Sequence, residues 1–385
     1  MSMTTPAHTW IDRPEQLSGL AEALASAPWI ALDTEANSMF VYRERVCLLQ
    51  LNAGGQLFVV DPLGLAGAGE RTALEPLRAV LEDRERVKYL HGGDYDVGTL
   101  KRDYGIALAG IWDSQQAASL LGWERTGYAA VVERTLGVAL EKAYTQYDWG
   151  TRPLDPRALA YAVEDVVHLP AACDRLRELV AEADLVEEVA IANRVVEGTT
   201  WTGGFDPAAI WRMTGARGLN DQAMGVLLAI HHWRNQVAAE VDRPAGQLVN
   251  DRALVALAGA TPDNLRDLKR HGLRSSLAST HGERLLETIR RAAAEPPALP
   301  EPPPRREVTP AERECDARLR EWRREEAGRR KVPPQVVLPA RALEHLKRHG
   351  AEDLESVPQL GEKRARLYGE RLKKLCAGGS PRRGS

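Results

Sequence analysis

No stretch of about 18 uncharged apolar residues occurs in the 385-residue chain, which excludes a conventional membrane-spanning helix and leaves no membrane partner to expect. The amino terminus, MSMTTPAHTWIDRPEQ, lacks a basic region followed by an apolar stretch and a small-residue cleavage site, so a cytoplasmic location is expected. Cysteine is scarce and scattered. Cys47, Cys173, Cys315 and Cys376 form no C-x-x-C pair, so neither a zinc site nor a disulfide framework is expected, and the thiols are read as reduced and incidental. Net charge is low as well: 51 Lys+Arg against 54 Asp+Glu leave −3, a balance that by itself speaks against a nucleic-acid partner.

Charge is present, but it is unevenly spread. Arg305–Ser385 holds 21 Lys+Arg against 13 Asp+Glu, a net of +8, and the rest of the chain 30 against 41, a net of −11. A basic end suited to polyphosphate is thus set apart from an acidic part suited to hard metal ions. With 44% apolar residues over this length, two or three packed domains are expected rather than one core.

Residues 12–26 read as an opening helix, with Asp12 able to cap, Pro14 in the first turn, and Leu17, Leu20, Ala21 and Leu24 on one face. A β region follows. Trp29-Ile30-Ala31-Leu32 runs into Asp33-Thr34-Glu35, and the apolar runs 46–51 and 56–60 flank the two-glycine turn Gly54-Gly55, giving three consecutive strands read as antiparallel. A helix near Leu74–Leu81, a fourth strand at Val87–Leu90 and helical patterns from Tyr95 to about Val196 complete an α/β domain with one mixed sheet.

Two later segments repeat each other. A shift of 89 residues superimposes Trp233-Arg234 on Trp322-Arg323, Ala238 on Ala327, Pro244 on Pro333, Arg252-Ala253-Leu254 on Arg341-Ala342-Leu343, Leu265 on Leu354 and Gly272 on Gly361. So many identities in one ungapped register are poorly explained by chance. Each copy reads as a helix, a proline-containing loop and several short helices, and the run EPPALPEPPP between them, residues 295–304, reads as a stiff, extended spacer.

Three patterns carry chemistry. Asp33 and Glu35 stand two apart at a strand end, where the period of two turns both side chains to one face and lets them share a metal ion. Taken alone, the pair reads more readily as a strand end with solvated acids. Tyr161 and Asp165 stand four apart in a helical stretch, so a phenol and a carboxylate can meet one water, the carboxylate holding a metal and the phenol orienting or deprotonating the water. In His91-Gly92-Gly93-Asp94-Tyr95-Asp96 a strand ends in two glycines and a helix opens with acids. There Asp94 reads as a cap, Asp96 as a cap or as a fourth carboxylate facing Asp33, and His91 as a packed, hydrogen-bonding residue rather than a catalyst.

In this order and spacing, the pieces resemble the tyrosine-containing subgroup of the DEDD 3′→5′ exonucleases, and within it the ribonuclease D family. The stretches 112–118 (WDSQQAA) and 148–154 (DWGTRPL) are also similar to family segments. The resemblance implies a ribonuclease H-like α/β fold and two divalent ions, Mg²⁺ or Mn²⁺. It implies Asp33 bridging both ions, Glu35 and Asp165 on the water-activating one, Asp96 supporting the second, and Tyr161 positioning the water. The product would be nucleoside 5′-monophosphates from RNA 3′ ends, with transfer-RNA precursors the implied substrate. Family members often carry an aromatic residue directly after Asp-Thr-Glu, against the terminal base; here Ala36 follows, and Met39, Phe40 or Tyr42 is left for that task. Lys142, Trp149 and Arg152 could contact substrate, but a core tryptophan and surface cations describe them better, so they are left out of the catalytic set.

The repeated segments resemble small all-α HRDC domains, helical modules that bind nucleic acid in several families. The expected layout is an exonuclease domain at 1–200, a connector at 201–216, a first module at 217–294, a linker at 295–309, a second module at 310–378 and a tail at 379–385. In the second module Arg323-Arg324, Arg329-Arg330-Lys331, Lys363-Arg364 and Lys373-Lys374 are expected to meet phosphates, while the less basic first copy suits a spacer or channel wall. A monomer is expected. The competing readings are a DNA 3′ exonuclease, since the same carboxylates serve both polymers, and a non-catalytic nucleic-acid-binding scaffold, whose signature, a missing carboxylate, is not found.

Overall fold

The computed structural model describes residues 6–65, 70–140, 144–304 and 306–377. Its sheet contains β1 (Thr9–Ile11), β2 (Trp29–Ala36), β3 (Val46–Ala53), β4 (Gln56–Val60), β5 (Val87–Leu90) and β6 (Ile111–Asp113), in the order β1-β4-β3-β2-β5-β6. β3 and β4 are antiparallel across Gly54-Gly55, whereas β1 runs parallel to β4, β2 to β5, and β5 to β6, which makes the sheet mixed as expected. β1 and β6, three residues each, are too short to show the alternation that would announce them. All eight residues of β3 are buried, which is why it reads as a continuous apolar run.

The opening helix begins later than its pattern suggests. A 3₁₀ turn at Pro14–Gln16 leads into α1 (Leu17–Ser26), and Asp12 does not cap; the Gln16 side-chain oxygen accepts from the backbone N–H groups of Asp12 and Arg13. Short α2 (Pro62–Leu65) and α3 (Arg78–Leu81) precede α4 (Asp94–Tyr104), α5 (Ser114–Leu120), α6 (Tyr128–Leu136), α7 (Pro156–Val167), α8 (Leu169–Glu182) and α9 (Val186–Glu197). Leu20 and Leu24 of α1 with Val97 and Leu100 of α4 share one core with Ile30, Leu32, Leu49 and Leu51 of the sheet. In a second core, Ala158, Ala162 and Val163 of α7 pack on Cys47, Leu48 and Val59. The catalytic candidates ride on β2, α4 and α7, elements these cores hold in place.

Two compact units divide the chain. One comprises residues 36–45 and 202–306, and the other residues 1–35, 46–201 and 307–385. The first contains α10 (Asp221–Glu240), α11 (Ala245–Leu248), α12 (Asp251–Ala260), α13 (Leu265–Arg270) and α14 (Ser275–Ala294) around Leu227, Ile230, Trp233, Leu254 and Leu285. The proline run forms neither helix nor strand, and it packs on this module rather than standing free: the Trp211 indole donates to the Pro300 carbonyl, and Leu299 packs against the module's core.

In the other unit α15 (Pro310–Arg330), α16 (Pro334–Val337), α17 (Ala340–His349) and α18 (Gly361–Ala377) surround Leu319, Trp322, Leu343 and Leu372. α15, α16 and α17 each begin 89 residues after α10, α11 and α12, so the sequence repeat is a structural one. This second copy is joined to the sheet domain: Val336 is buried among Ala117, Leu176 and Val189, and Gln335 donates to the Ser119 carbonyl. The expected phosphate contacts of Lys363-Arg364 are corrected here. Lys363 is buried against Glu188 (3.3 Å) and Asp184 (3.0 Å), and Arg364 donates to the carbonyls of Val336, Gln359 and Leu360.

Candidate active site

β2 delivers Asp33 and Glu35, separated by Thr34, and α7 delivers Asp165 with Tyr161 one turn before it. Carboxylate oxygens of Asp33, Glu35 and Asp165 all lie within 4.8 Å of one another, a spacing at which one hard cation can be shared. Asp96, in the first turn of α4, is buried beside this trio rather than within it. It accepts a hydrogen bond of 2.5 Å from the Thr34 hydroxyl.

Local structure explains the placement. Asp155 caps α7 by accepting from the Arg157 N–H, Pro156 fits the first turn, and the Asn52 amide of β3 donates to the Val166 carbonyl, fixing the helix to the sheet. At the other wall the chain leaves β5 through Gly92, whose φ of 66° is the left-handed conformation glycine tolerates. Asp113, fully buried, then accepts from the N–H groups of Gly92, Gly93, Gln115 and Gln116, so one carboxylate locks the entry to α4 against the start of α5. Asp94 does not cap: Gly93 occupies the cap position, and the Asp94 carboxylate accepts from Thr199.

Electrostatics set this cluster apart. Burial, followed by the repulsion of Asp96, Asp165 and Glu35, holds Asp33 far above the ordinary carboxylate range. Burial with Asp165 and Asp96 pushes Glu35 up to about 9, and burial with Glu164 and Asp96 pushes Asp165 up to about 7. Asp96 rises to about 6, mainly through burial, with the Thr34 hydrogen bond acting against it. Like charges crowded this way are relieved by protons or by cations, so the donor set fits hard divalent ions.

Tyr161 lies near-parallel to Trp149 with ring centroids 6.5 Å apart, and burial together with Asp165, Glu35 and Asp33 raises its phenol. The hydroxyl therefore stays protonated near neutrality, which suits orienting a water better than deprotonating it. His91 Nδ1 bonds the Ser114 hydroxyl, and burial lowers the imidazole to about 4, so the residue is a neutral packing element. Trp149 is buried core, and Arg152 forks onto Asp61 at 2.7 Å, so neither is free to meet substrate; Lys142 lies outside the described residues. Tyr42 donates through its hydroxyl to Asn235, and Gln247 donates to the Met39 carbonyl; both belong to the unit of the first helical module, as does Phe40.

Three residues about this site were given no role from the sequence. Thr34 is masked by the two acids it separates, and Asp113 was visible only inside a family-like segment. Tyr128 of α6, which donates to the Glu164 carbonyl and is raised by burial, Asp165 and Asp33, stands in no recognisable pattern.

A family model for 3′–5′ exonucleases matches residues 8–181, and one for the HRDC domain matches residues 223–289 and 312–376. Fold and site thus define a 3′→5′ exonuclease, a hydrolase, joined to two helical modules. Ribonuclease D of Acidiphilium cryptum is 29% identical over 381 residues, covering 98% of this chain and 95% of its own. The Escherichia coli enzyme is 32% identical over 300 residues, 76% of this chain and 77% of its own. The crystal structure of Escherichia coli RNase D, described as an exoribonuclease involved in structured RNA processing, superimposes with a TM-score of 0.72 at 27% identity, covering 96% of this chain and 98% of that one. The chain belongs to the ribonuclease D family and is, by that membership, a 3′→5′ exoribonuclease.

Proposed function

We propose that the chain hydrolyses RNA one nucleotide at a time from the 3′ end, using two divalent ions, Mg²⁺ or Mn²⁺, held by Asp33, Glu35, Asp96 and Asp165. The observation that carries this reading is the set of three carboxylates within 4.8 Å, raised by burial and then by repulsion from neighbouring acids, with a fourth buried beside them. When bound, the ions supply Lewis acidity, lowering the pKa of the attacking water and neutralising charge on the leaving 3′ oxygen. The chain's own part is positional. Asp33 and Glu35 fix one side of the pocket from a rigid strand, Asp165 closes it from α7, and Thr34 holds one oxygen of Asp96 so that the other can turn to an ion. Tyr161, protonated and braced by Trp149, orients the water for in-line attack.

The released product is a nucleoside 5′-monophosphate. The substrate class is structured RNA with a single-stranded 3′ end, transfer-RNA precursors among them. In this reading the protein acts as a monomer in the cytoplasm; no helix among the described residues is long and apolar enough to cross a membrane. The test is time-resolved digestion of 5′-labelled single-stranded RNA and its DNA counterpart with Mg²⁺ or Mn²⁺, beside EDTA and Asp33→Ala. A descending ladder on RNA, abolished by both controls, is expected. A ladder mainly on DNA, or tight binding without any ladder, would overturn the reading.

A further inference from the structure

Large apolar side chains more than a third exposed are few among the described residues, and the only aromatic ones are Tyr95 (39%) and Trp201 (38%). They touch each other edge to face, with ring centroids 6.4 Å apart and an angle of 77°. Tyr95 immediately precedes Asp96 in the first turn of α4. A helix turns about 100° per residue, so the carboxylate faces inward while the neighbouring ring leaves the same turn towards solvent.

Trp201 is held along the same helix at three successive turns. Thr199 donates to Asp94 at 2.9 Å, a Cβ at Gly98 would lie 3.6 Å from the Thr199 methyl, and the Arg102 guanidinium sits 4.4 Å from the Trp201 ring centroid. Positions 94, 98 and 102 repeat every four residues, so one stripe of α4 clamps the segment 199–201. Arg102 is also forked onto Asp103 at 2.6 and 2.8 Å, which offsets its charge and leaves it chiefly a planar backing for the indole. Two aromatic rings are thus fixed on the helix turn that carries Asp96, at little further entropic cost on binding.

We propose that Tyr95 and Trp201 form a stacking platform for bases of the single-stranded RNA that leads into the carboxylate pocket, an inference that rests on the exoribonuclease reading above. Every base has a π-face, so such a platform holds an RNA strand without reading its sequence, as a processive or stepwise trimming enzyme requires. Its ligand is the nucleobase, not the phosphate, because the cation present is already paired.

The experiment compares kcat/KM on a single-stranded oligoribonucleotide of roughly a dozen residues with that on a dinucleotide too short to reach both the pocket and the platform. Loss of one stacked base weakens binding roughly 5- to 100-fold. In Trp201→Ala and, separately, Tyr95→Ala, the long-over-short ratio is expected to fall by that order, mainly through KM, while Trp201→Phe restores it. Tyr95→Ala keeps the Arg102–Trp201 pair and guards against a variant that merely loosens α4. An unchanged ratio, or an equal loss on both lengths, would overturn the platform. A wild-type chain that degrades neither RNA would instead bring down the functional reading and the platform with it.

Discussion

Two buried clusters of charge in one compact unit are built on opposite terms. Where the second helical copy meets the sheet domain, Lys363 stands between Asp184 and Glu188, and the neighbouring Arg364 spends its donors on four backbone carbonyls. In the carboxylate pocket four acids crowd together, and their internal relief comes from hydrogen bonds rather than cations: the Thr34 hydroxyl and the backbone at Asp96 and Thr34 act on Asp96, and the backbone at Thr34 acts on Asp33. A charge balanced from within stabilises a seam; charges left to repel one another form a binding site for ions from outside. The largest expected effect tests the unbalanced cluster. Asp33→Asn should lower RNA hydrolysis by roughly 10⁴-fold while raising the melting temperature of the metal-free protein by a few degrees, since it removes a carboxylate held far above its ordinary range. A ladder assay and a calorimetric scan on the same preparation check both halves. A variant that is inactive and also less stable would place Asp33 in the structure rather than in the chemistry.

At the balanced cluster the sign reverses. Lys363→Met leaves Glu188, almost wholly buried, without its salt-bridge partner, and should destabilise the unit by about 3–5 kcal/mol in urea unfolding. The same register position in the first copy is Arg274, an exposed cap residue, and Arg274→Met should stay within roughly 0.5 kcal/mol. Equal costs at the two positions would mean that the repeat, rather than the seam, sets the energetics.

The pH dependence follows from the same contrast. Asp33, Glu35, Asp96 and Asp165 are all raised in the folded, metal-free protein, so between the ordinary carboxylate value and their raised values the folded state binds more protons than the unfolded one. Their contribution to stability is therefore fullest below the ordinary carboxylate value and is lost as pH rises towards about 9, where Glu35 ionises. In EDTA the melting temperature should fall by a few degrees between roughly pH 5 and pH 9, and Mn²⁺ should restore most of that loss at the alkaline end and little at the acid end. A metal effect independent of pH would separate ion binding from these carboxylates.

Much of this contrast was legible in the sequence, though unevenly. Asp33 with Glu35, and Tyr161 with Asp165, could be read because strand period and helix spacing dictate which side chains share a face, whereas Asp96 stayed open between a cap and a fourth carboxylate until the family resemblance was drawn. The repeat was legible because Trp322, Ala342 and Leu343 occupy the core positions of Trp233, Ala253 and Leu254, so one packing problem is solved twice. Lys363 and Arg364 were misread, since a basic pair looks the same on a solvated face and in a seam until the acid opposite it, some 175 residues away, is known. Asp113 escaped for a related reason: its four partners are backbone N–H groups, which every residue possesses and no sequence pattern marks.

The smallest effect belongs to cations in neither cluster. The two helical copies differ more in charge density than in balance, 17 Lys+Arg against 12 Asp+Glu in residues 310–378 and 11 against 8 in residues 217–294. With Lys363 and Arg364 turned inward, the exposed Arg324, Lys331 and Lys374 are left as candidates for phosphate contact in the second copy. Each true contact releases a condensed counterion, so its loss should reduce the slope of log affinity against log salt by about 0.7 on single-stranded RNA and weaken binding only a few-fold at moderate salt. Arg324→Ala, Lys331→Ala and Lys374→Ala, measured singly by salt-titrated RNA binding in Ca²⁺, distinguish the three. A slope unmoved by all of them would leave the second copy as a brace for the exonuclease domain, its exposed charge serving only solubility.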